Sequence, residues 1–166
     1  MTTITTSRTI HAPASKVWEV IADYHNADVY HPLLASVERL NEIDQGVGAS
    51  RQCNLYNNSS IVETVTEWEN GRSFTVETNE QPIFGKTRGK MSIKPIDAHS
   101  SKITVTTTYT PKWGLIGKAL DSLLLRMIVN QAVKRVLNGL QHHIETGEAI
   151  GKGGKPIPLT IRPVSS

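Results

Sequence analysis

The hydrophobic period of this chain changes once, and late. Through its first two thirds, apolar residues recur at every second position in short runs. From about Leu115 to Thr146 they recur at helical spacing instead. The early runs are "LLASVERLNE", "ASRQCNLY", "IVETVTEWE", "RSFTVETN", "GKTRGKMSIKP" and "SKITVTTTYTPK". Gly-, Asn- or Asp-bearing turns such as "IDQGVG", "NNSS" and "NG" separate them. Strands at about ten-residue spacing with such turns between them predict an antiparallel meander.

Alternation assigns the faces. In "KTRGKMSIK", Met91 and Ile93 alternate with Lys90 and Lys94, so one face is wet and the other buried. In the last strand Ile103, Val105, Thr107 and Tyr109 share a face, opposite Thr104, Thr106, Thr108 and Thr110; Phe74 and Val76 share a face in theirs. The late helix carries Leu120, Leu124, Met127, Val133, Leu137, Leu140 and Ile144 within a broad apolar stripe, with Gly147 as its stop.

Ahead of the meander, "TTITTSRTIH" is β-branched and predicts a first strand over residues 3–11. Pro13 opens a short helix over 14–24, and "HNADVYHP" forms a second brief helical turn halted at Pro32. The expected fold class is α+β: a seven-stranded curved antiparallel sheet around a long C-terminal helix, with two short helices after strand one. Residues 1–146 form a single domain; residues 147–166, rich in Gly and Pro, form a mobile or surface-draped tail. Aromatic residues make up only 5% of the chain, so few large side chains fill the space between sheet and helix. A core of Thr, Val and Ala there leaves room for a cavity with apolar walls and a few hydroxyls.

Composition narrows the function. Eighteen Lys and Arg against 15 Asp and Glu, spread along the chain, give no basic patch that would read nucleic acid. One cysteine, Cys53, excludes a disulfide framework or a multi-thiolate zinc site and reads as a small buried hydrophobe. No segment has the apolar length to span a bilayer, so stable membrane insertion is not expected. The N-terminus lacks the pattern of a signal peptide, which makes the expected location cytoplasmic.

The stretch "IHAPASKVWEVIADYHNADVYHPLLASVE" resembles the opening of the Bet v 1-like, START-related superfamily, in particular its polyketide cyclase/dehydrase and lipid-transport branch. In that branch a strand ends in an "APxxxVW" helix, and a short second helix precedes a strand. "GVGASRQC", "IVETVTEWENGRSFTVE" and the helix after "TPKWG" follow the same order, so the resemblance covers about residues 3–146. It implies a helix-grip fold. It also implies that the segment holding Tyr24, Tyr30 and His31 flanks a cavity entrance, as a gate or as plain packing. It implies no single function, because the superfamily hosts carriers, cyclases, hydroxylase components and chaperone activators.

Spacing argues against a metal centre. His11, His25 and His31 fall on a strand end and across a helix break with no HExxH or HxH pattern, and His142 and His143 are consecutive near a helix end. No metal and no cofactor is expected. Arg51 and Glu63 lie on successive strands, where a cross-strand ion pair forms readily: a solvated or structural pair in one reading, an inward pair polarising or orienting a bound carbonyl or carboxylate in the other. Trp68, Tyr109 and Met127 follow the inward faces as core or as ligand contacts. Asn130 and Gln131 interrupt the helical stripe and point either to solvent or into the cavity. The expected ligand contacts are therefore Arg51, Glu63, Trp68, Tyr109, Met127, Asn130 and Tyr30, with Glu63, Tyr109 and His31 as candidate acid–base groups.

The leading expectation is a binder of a small hydrophobic molecule, aromatic, polyketide or lipid-like, acting as a monomer or homodimer. The same cavity serves a second reading, a polyketide cyclase or dehydratase that holds a chain folded and moves one proton. A third reading, a protein-interaction module, requires a filled core and an exposed apolar patch.

Overall fold

The structure, a computed structural model, describes residues 1–110 and 124–157. The chain opens with β1 (Thr2–Ile10), α1 (Ala14–Ala22) and a 3-10 segment (Tyr24–Val29). The strands β2 (Leu34–Arg39), β3 (Ser50–Leu55), β4 (Ser60–Glu69), β5 (Ser73–Thr78), β6 (Thr87–Pro95) and β7 (Ser101–Tyr109) follow, then α2 (Arg126–Thr146). All seven strands form one antiparallel sheet in the order β1-β7-β6-β5-β4-β3-β2. The strand meander, the paired short helices and the long C-terminal helix match the expected α+β layout. The start expected for that helix near Leu115 lies outside the described residues.

Period-two alternation works as predicted. On β1, Ile4 and Ile10 are buried while Thr3, Thr5, Ser7 and Thr9 face out. Those outer hydroxyls pair across to β7: Thr3 with Thr108 at 3.2 Å, Thr5 with Thr106 at 3.3 Å and Ser7 with Thr104 at 2.9 Å. The inner face of the sheet meets α1 and α2. From α1, Val17, Trp18 and Ile21 enter the core; from α2, Val136, Leu137, Leu140 and Ile144 do. Polar groups along the flank of α2 tie it to the edge strand. Thr6 Oγ1 donates to Asn130 Oδ1 at 2.9 Å, Arg8 Nη1 to Gln141 Oε1 at 2.7 Å, and the His11 backbone N–H to Glu145 Oε1 at 2.9 Å.

A bulge between Val65 and Glu67 changes which side chains of β4 point inward. Before it the inward residues are odd-numbered, as at Val65; after it Trp68 turns in and pairs with Phe74. Trp18, Trp68 and Phe74 then form one cluster, with Trp18 edge-on to Trp68 at 5.0 Å and Trp68 stacked on Phe74 at 5.7 Å. This cluster seats α1 on the sheet.

Part of the expected tail is built structure. β8 (Ala149–Ile150) and β9 (Pro156–Ile157) form a small hairpin, with Ala149 and Ile150 buried. α2 ends at Gly147, whose φ of 80° suits a residue without a side chain and whose N–H donates to the His143 carbonyl. The chain turns back, and Gly153 N–H donates to the Pro32 carbonyl at 3.2 Å. Two buried apolar side chains at the hairpin start, that backbone bond and the Lys152 ammonium 5.8 Å from the centre of the Tyr56 ring dock a Gly-rich segment that composition marked as loose. Residues 158–166 lie outside the described ones.

Gly139 fixes how closely α2 approaches the turn before β2. A Cβ at this position would overlap the Tyr30 carbonyl oxygen, a backbone atom that cannot swing aside. Glycine costs a helix interior about 1 kcal/mol relative to alanine, so its place here reflects packing and not propensity. Gly139→Ala is expected to lower stability by about 2 kcal/mol or more despite its better helix propensity. The neighbouring exposed Asn138→Ala is expected to leave the thermal midpoint unchanged or raise it. Thermal unfolding of the two variants checks this, and equal midpoints would show that the contact yields.

Candidate functional site

The concave face of the sheet carries a polar rank beside apolar ones. Arg51 on β3 is directly opposite Glu63 on β4, and Glu63 is opposite Thr78 on β5. The Thr78 and Thr87 hydroxyls meet at 3.1 Å, and Thr87 is opposite Tyr109 on β7. One step along the strands the rank is Val65, Val76, Gly89 and Thr107, and the next holds Phe74, Met91 and Val105. Between these ranks and α2 lies a cavity of about 290 Å³. Leu55, Ile61, Val76, Met91 and Val105 of the sheet form its floor, and Ala132, Val133 and Val136 of α2 its roof. Tyr30, His31, Leu33 and Leu34 close one side.

Arg51 organises the polar end. Its Nε and Nη2 donate to Glu63 Oε2 at 2.9 and 2.6 Å. Its Nη1 donates to the Tyr24 carbonyl, and its Cζ lies 4.0 Å from the centre of the Tyr24 ring. The Cys53 thiol reaches the same Glu63 oxygen at 3.7 Å. Arg51 is only 8% exposed, so the guanidinium is desolvated and depends on these partners. The register turns both members of the Arg51–Glu63 pair toward the cavity wall.

These contacts set the protonation states. Burial by itself would raise the Glu63 carboxyl, but the Arg51 guanidinium outweighs it and holds the group below the usual carboxylate range. Burial pushes the Cys53 thiol up to about 12, with Glu63 adding to the shift, so the sulfur stays protonated and is no nucleophile at neutral pH. Burial likewise pushes the Tyr30 phenol up to about 12. His31 goes the other way, lowered by burial to about 4 against the opposing pull of Glu63. Its Nδ1 accepts the Leu33 backbone N–H at 3.4 Å, which fits a neutral ring.

Of the residues expected at the site, Arg51, Glu63, Tyr30 and His31 line this cavity. Trp68, Tyr109, Met127 and Asn130 are not among the described residues of its wall. Trp68 belongs to the cluster under α1. Tyr109 is buried edge-on to Phe84 at 5.7 Å. Met127 is 59% exposed, and Asn130 is bonded to Thr6 on β1. Gln131 is exposed. Helical periodicity marks a face of α2 but not which part of it covers the cavity, and the described lining residues of α2 are Ala132, Val133 and Val136. Cys53, Thr78, Thr87, Gly89 and Thr107 complete the wall and were not anticipated as site residues. For Thr78, Thr87, Gly89 and Thr107 the signal was present, since each shares strand parity with Phe74, Val76, Met91 or Val105; Cys53 shares it with Arg51, whose face needed the register. The histidines His11, His25, His142 and His143 do not converge, and no group of three or more metal-ligating side chains occurs among the described residues.

The buried pair and its histidine neighbour are both open to measurement. Arg51→Met leaves Glu63 without its counter-charge and is expected to cost about 3 kcal/mol or more, whereas Arg51→Met with Glu63→Met recovers most of the loss. Denaturant unfolding of the single and double variants measures the coupling; additive losses would place the pair in solvent. Acid probes the histidine. His31 and Glu63 both have folded-state pKa values below their unfolded ones, so the folded protein binds fewer protons than the unfolded chain as pH falls. The stability that His31 contributes is complete above its ordinary value of 6.5 and lost as pH drops toward 4; that from Glu63 is lost below 4.5. The thermal midpoint is expected to fall between these limits, and less steeply in His31→Gln. Parallel curves for the two proteins would rule out His31 as the source.

Comparison with known proteins agrees with this architecture. The chain is similar in fold to the ZhuI aromatase/cyclase from Streptomyces sp. R1128, with a TM-score of 0.71 and 22% identity over 87% of this chain and 93% of that one. A START superfamily protein from Mycobacterium smegmatis gives a TM-score of 0.72 at 12% identity, covering 86% of this chain and 97% of that one. A protein from Thermus thermophilus gives 0.72 at 18% identity, covering 88% and 99%. No curated protein sequence matches the chain. The family described as polyketide cyclase / dehydrase and lipid transport matches residues 1–145, nearly the whole sheet-and-helix domain, and the chain belongs to that family.

Proposed function

We propose that this protein binds a small, mainly apolar molecule, aromatic, polyketide or lipid-like, between its sheet and α2. Family and fold suggest a hydrophobic ligand-binding or polyketide cyclase-type function. The observation that carries the binding reading is the cavity itself. It has walls of Leu, Ile, Val, Met and Phe and a few polar groups gathered at one end. An interaction module would need that space filled. Affinity would come mostly from apolar burial, about 25 cal/mol per Å² before the costs of association, with the polar rank setting orientation.

A cyclase-type reaction in the same space is favoured by one feature, an ionised Glu63 in the wall near His31 and Tyr30. A carboxylate held beside a folded poly-carbonyl chain is placed to take a proton from it. Glu63→Gln would abolish such turnover while leaving apolar binding largely intact; unchanged turnover removes Glu63 as the base.

Gly89 offers a test that does not disturb the fold. It faces the cavity from the middle of β6, and a Cβ there meets only Val76 Cγ2, at an ordinary 3.6 Å. A glycine inside a strand weakens it and marks a place where another group comes close to the backbone. Gly89→Leu is expected to fill the space, keep or raise the thermal midpoint, and weaken binding of N-phenyl-1-naphthylamine at least about tenfold, as loss of a buried contact area of that size implies. Fluorescence titration reads the affinity. Undiminished binding to a folded Gly89→Leu protein would place the dye elsewhere and count against the cavity.

A further inference from the structure

We infer that the cavity selects ligands presenting a neutral hydrogen-bond donor, a hydroxyl or N–H, to Glu63 Oε1, and rejects ligands that end there in a carboxylate or other anion. This rests on the cavity-binding reading and adds the chemistry of its polar end.

The two oxygens of Glu63 are used unequally. Arg51 Nε, Arg51 Nη2 and the Cys53 thiol all converge on Oε2. Among the described residues Oε1 accepts no hydrogen bond, and the Glu63 side chain, 21% exposed, lines the cavity wall. An ionised carboxylate oxygen beside apolar walls is a strong acceptor, because hydrogen bonds to charged groups gain more than neutral ones in such surroundings.

The guanidinium, by contrast, has turned three of its five N–H groups to partners within the protein. Two of its nitrogens hold Glu63, the third holds the Tyr24 carbonyl, and the Tyr24 ring covers a face of it. An arginine in an apolar pocket ordinarily suggests capture of an anion. Here its charge is matched by Glu63, and the acceptor left without a partner among the described residues is the carboxylate oxygen Oε1. A ligand anion arriving at this end meets like charge. The described residues of the remaining wall supply no compensating cation: Arg51 and Glu63 are the ionised side chains there, and His31, Tyr30, Cys53, Thr78, Thr87 and Thr107 are neutral at pH 7. The Thr78 and Thr87 hydroxyls are occupied with each other at 3.1 Å. A site with one unfilled charged acceptor discriminates sharply between a ligand that donates and one of the same shape that does not.

Three naphthalenes of similar size separate these outcomes on the unmodified protein at pH 7.5: 2-naphthol donates, 2-methoxynaphthalene does not, and 2-naphthoate is an anion. Each is titrated against bound N-phenyl-1-naphthylamine. The naphthol is expected to bind about tenfold or more tightly than the methyl ether, which is the typical discrimination of a hydrogen bond to a charged group, and the naphthoate most weakly. In Glu63→Gln the naphthol advantage is expected to shrink and the naphthoate to gain. Equal affinities for naphthol and ether, or a preference for naphthoate, overturn the inference while cavity binding stands. Displacement by none of the three overturns both. If Glu63→Gln does not fold, the ranking on the unmodified protein decides alone.

Discussion

A single guanidinium joins three parts of this molecule that are distant in sequence. Arg51 rises from β3, pairs with Glu63 across the strand, and caps the backbone of the segment after α1 at the Tyr24 carbonyl. A buried cation is costly unless its hydrogen bonds are met, so the position of Tyr24 is tied to that of Arg51. Tyr24 in turn lies edge-on to Phe74 at 6.1 Å, which connects it to the cluster seating α1. The side of the cavity made by Tyr30 and His31 follows a few residues later. The placement of the short helices, and with it the shape of the cavity, depends on this one charge being matched.

The cavity exists because the sheet's inner ranks are thin. Thr78, Thr87, Gly89 and Thr107 occupy positions where larger side chains would reach α2. Glycine and threonine shorten the floor, while Met91, Phe74 and Val105 keep the adjoining part apolar. Toward the other end Ile93, Ile103, Trp18, Ile21, Leu140 and Ile144 are buried. One domain thus holds a packed half and a half with a cavity. The polar rank sits in the hollow half. The ion pair there already spends three of the Arg51 N–H groups on partners within the protein.

Much of the architecture was legible beforehand. Seven strands, two short helices and a long closing helix followed from one change of period and a series of Gly, Asn and Asp turns, because period and turn chemistry are local properties. The inward parity of β6 and β7 was equally readable. The hairpin at residues 149–157 was not, since its docking depends on Ala149 and Ile150 finding neighbours that no local pattern reveals. The site divided along the same line. Arg51 and Glu63 stood out as a cross-strand pair, yet which face they took required the register. Trp68 could be given an inward side, but the bulge at Val65–Glu67 and the contact with Trp18 decided that it would serve the core. Met127 shared a helical stripe with Val136 and Leu137 and Asn130 interrupted it, and only the tertiary contacts showed that Met127 is exposed and Asn130 is held by Thr6.

By itself the sequence determined a curved antiparallel sheet gripping a helix, an interior short of aromatic bulk, and a matched charge pair on neighbouring strands. Each is a matter of residue type and spacing within a few positions. Tertiary structure decided where the space would remain and which oxygen of Glu63 the Arg51 guanidinium would take. Those outcomes depend on strand register, on a bulge, on the close approach that Gly139 permits at Tyr30, and on two nitrogens of Arg51 choosing the same oxygen of Glu63. Interactions across fifty or a hundred residues have no signature in a local pattern, because they are fixed only when the elements meet.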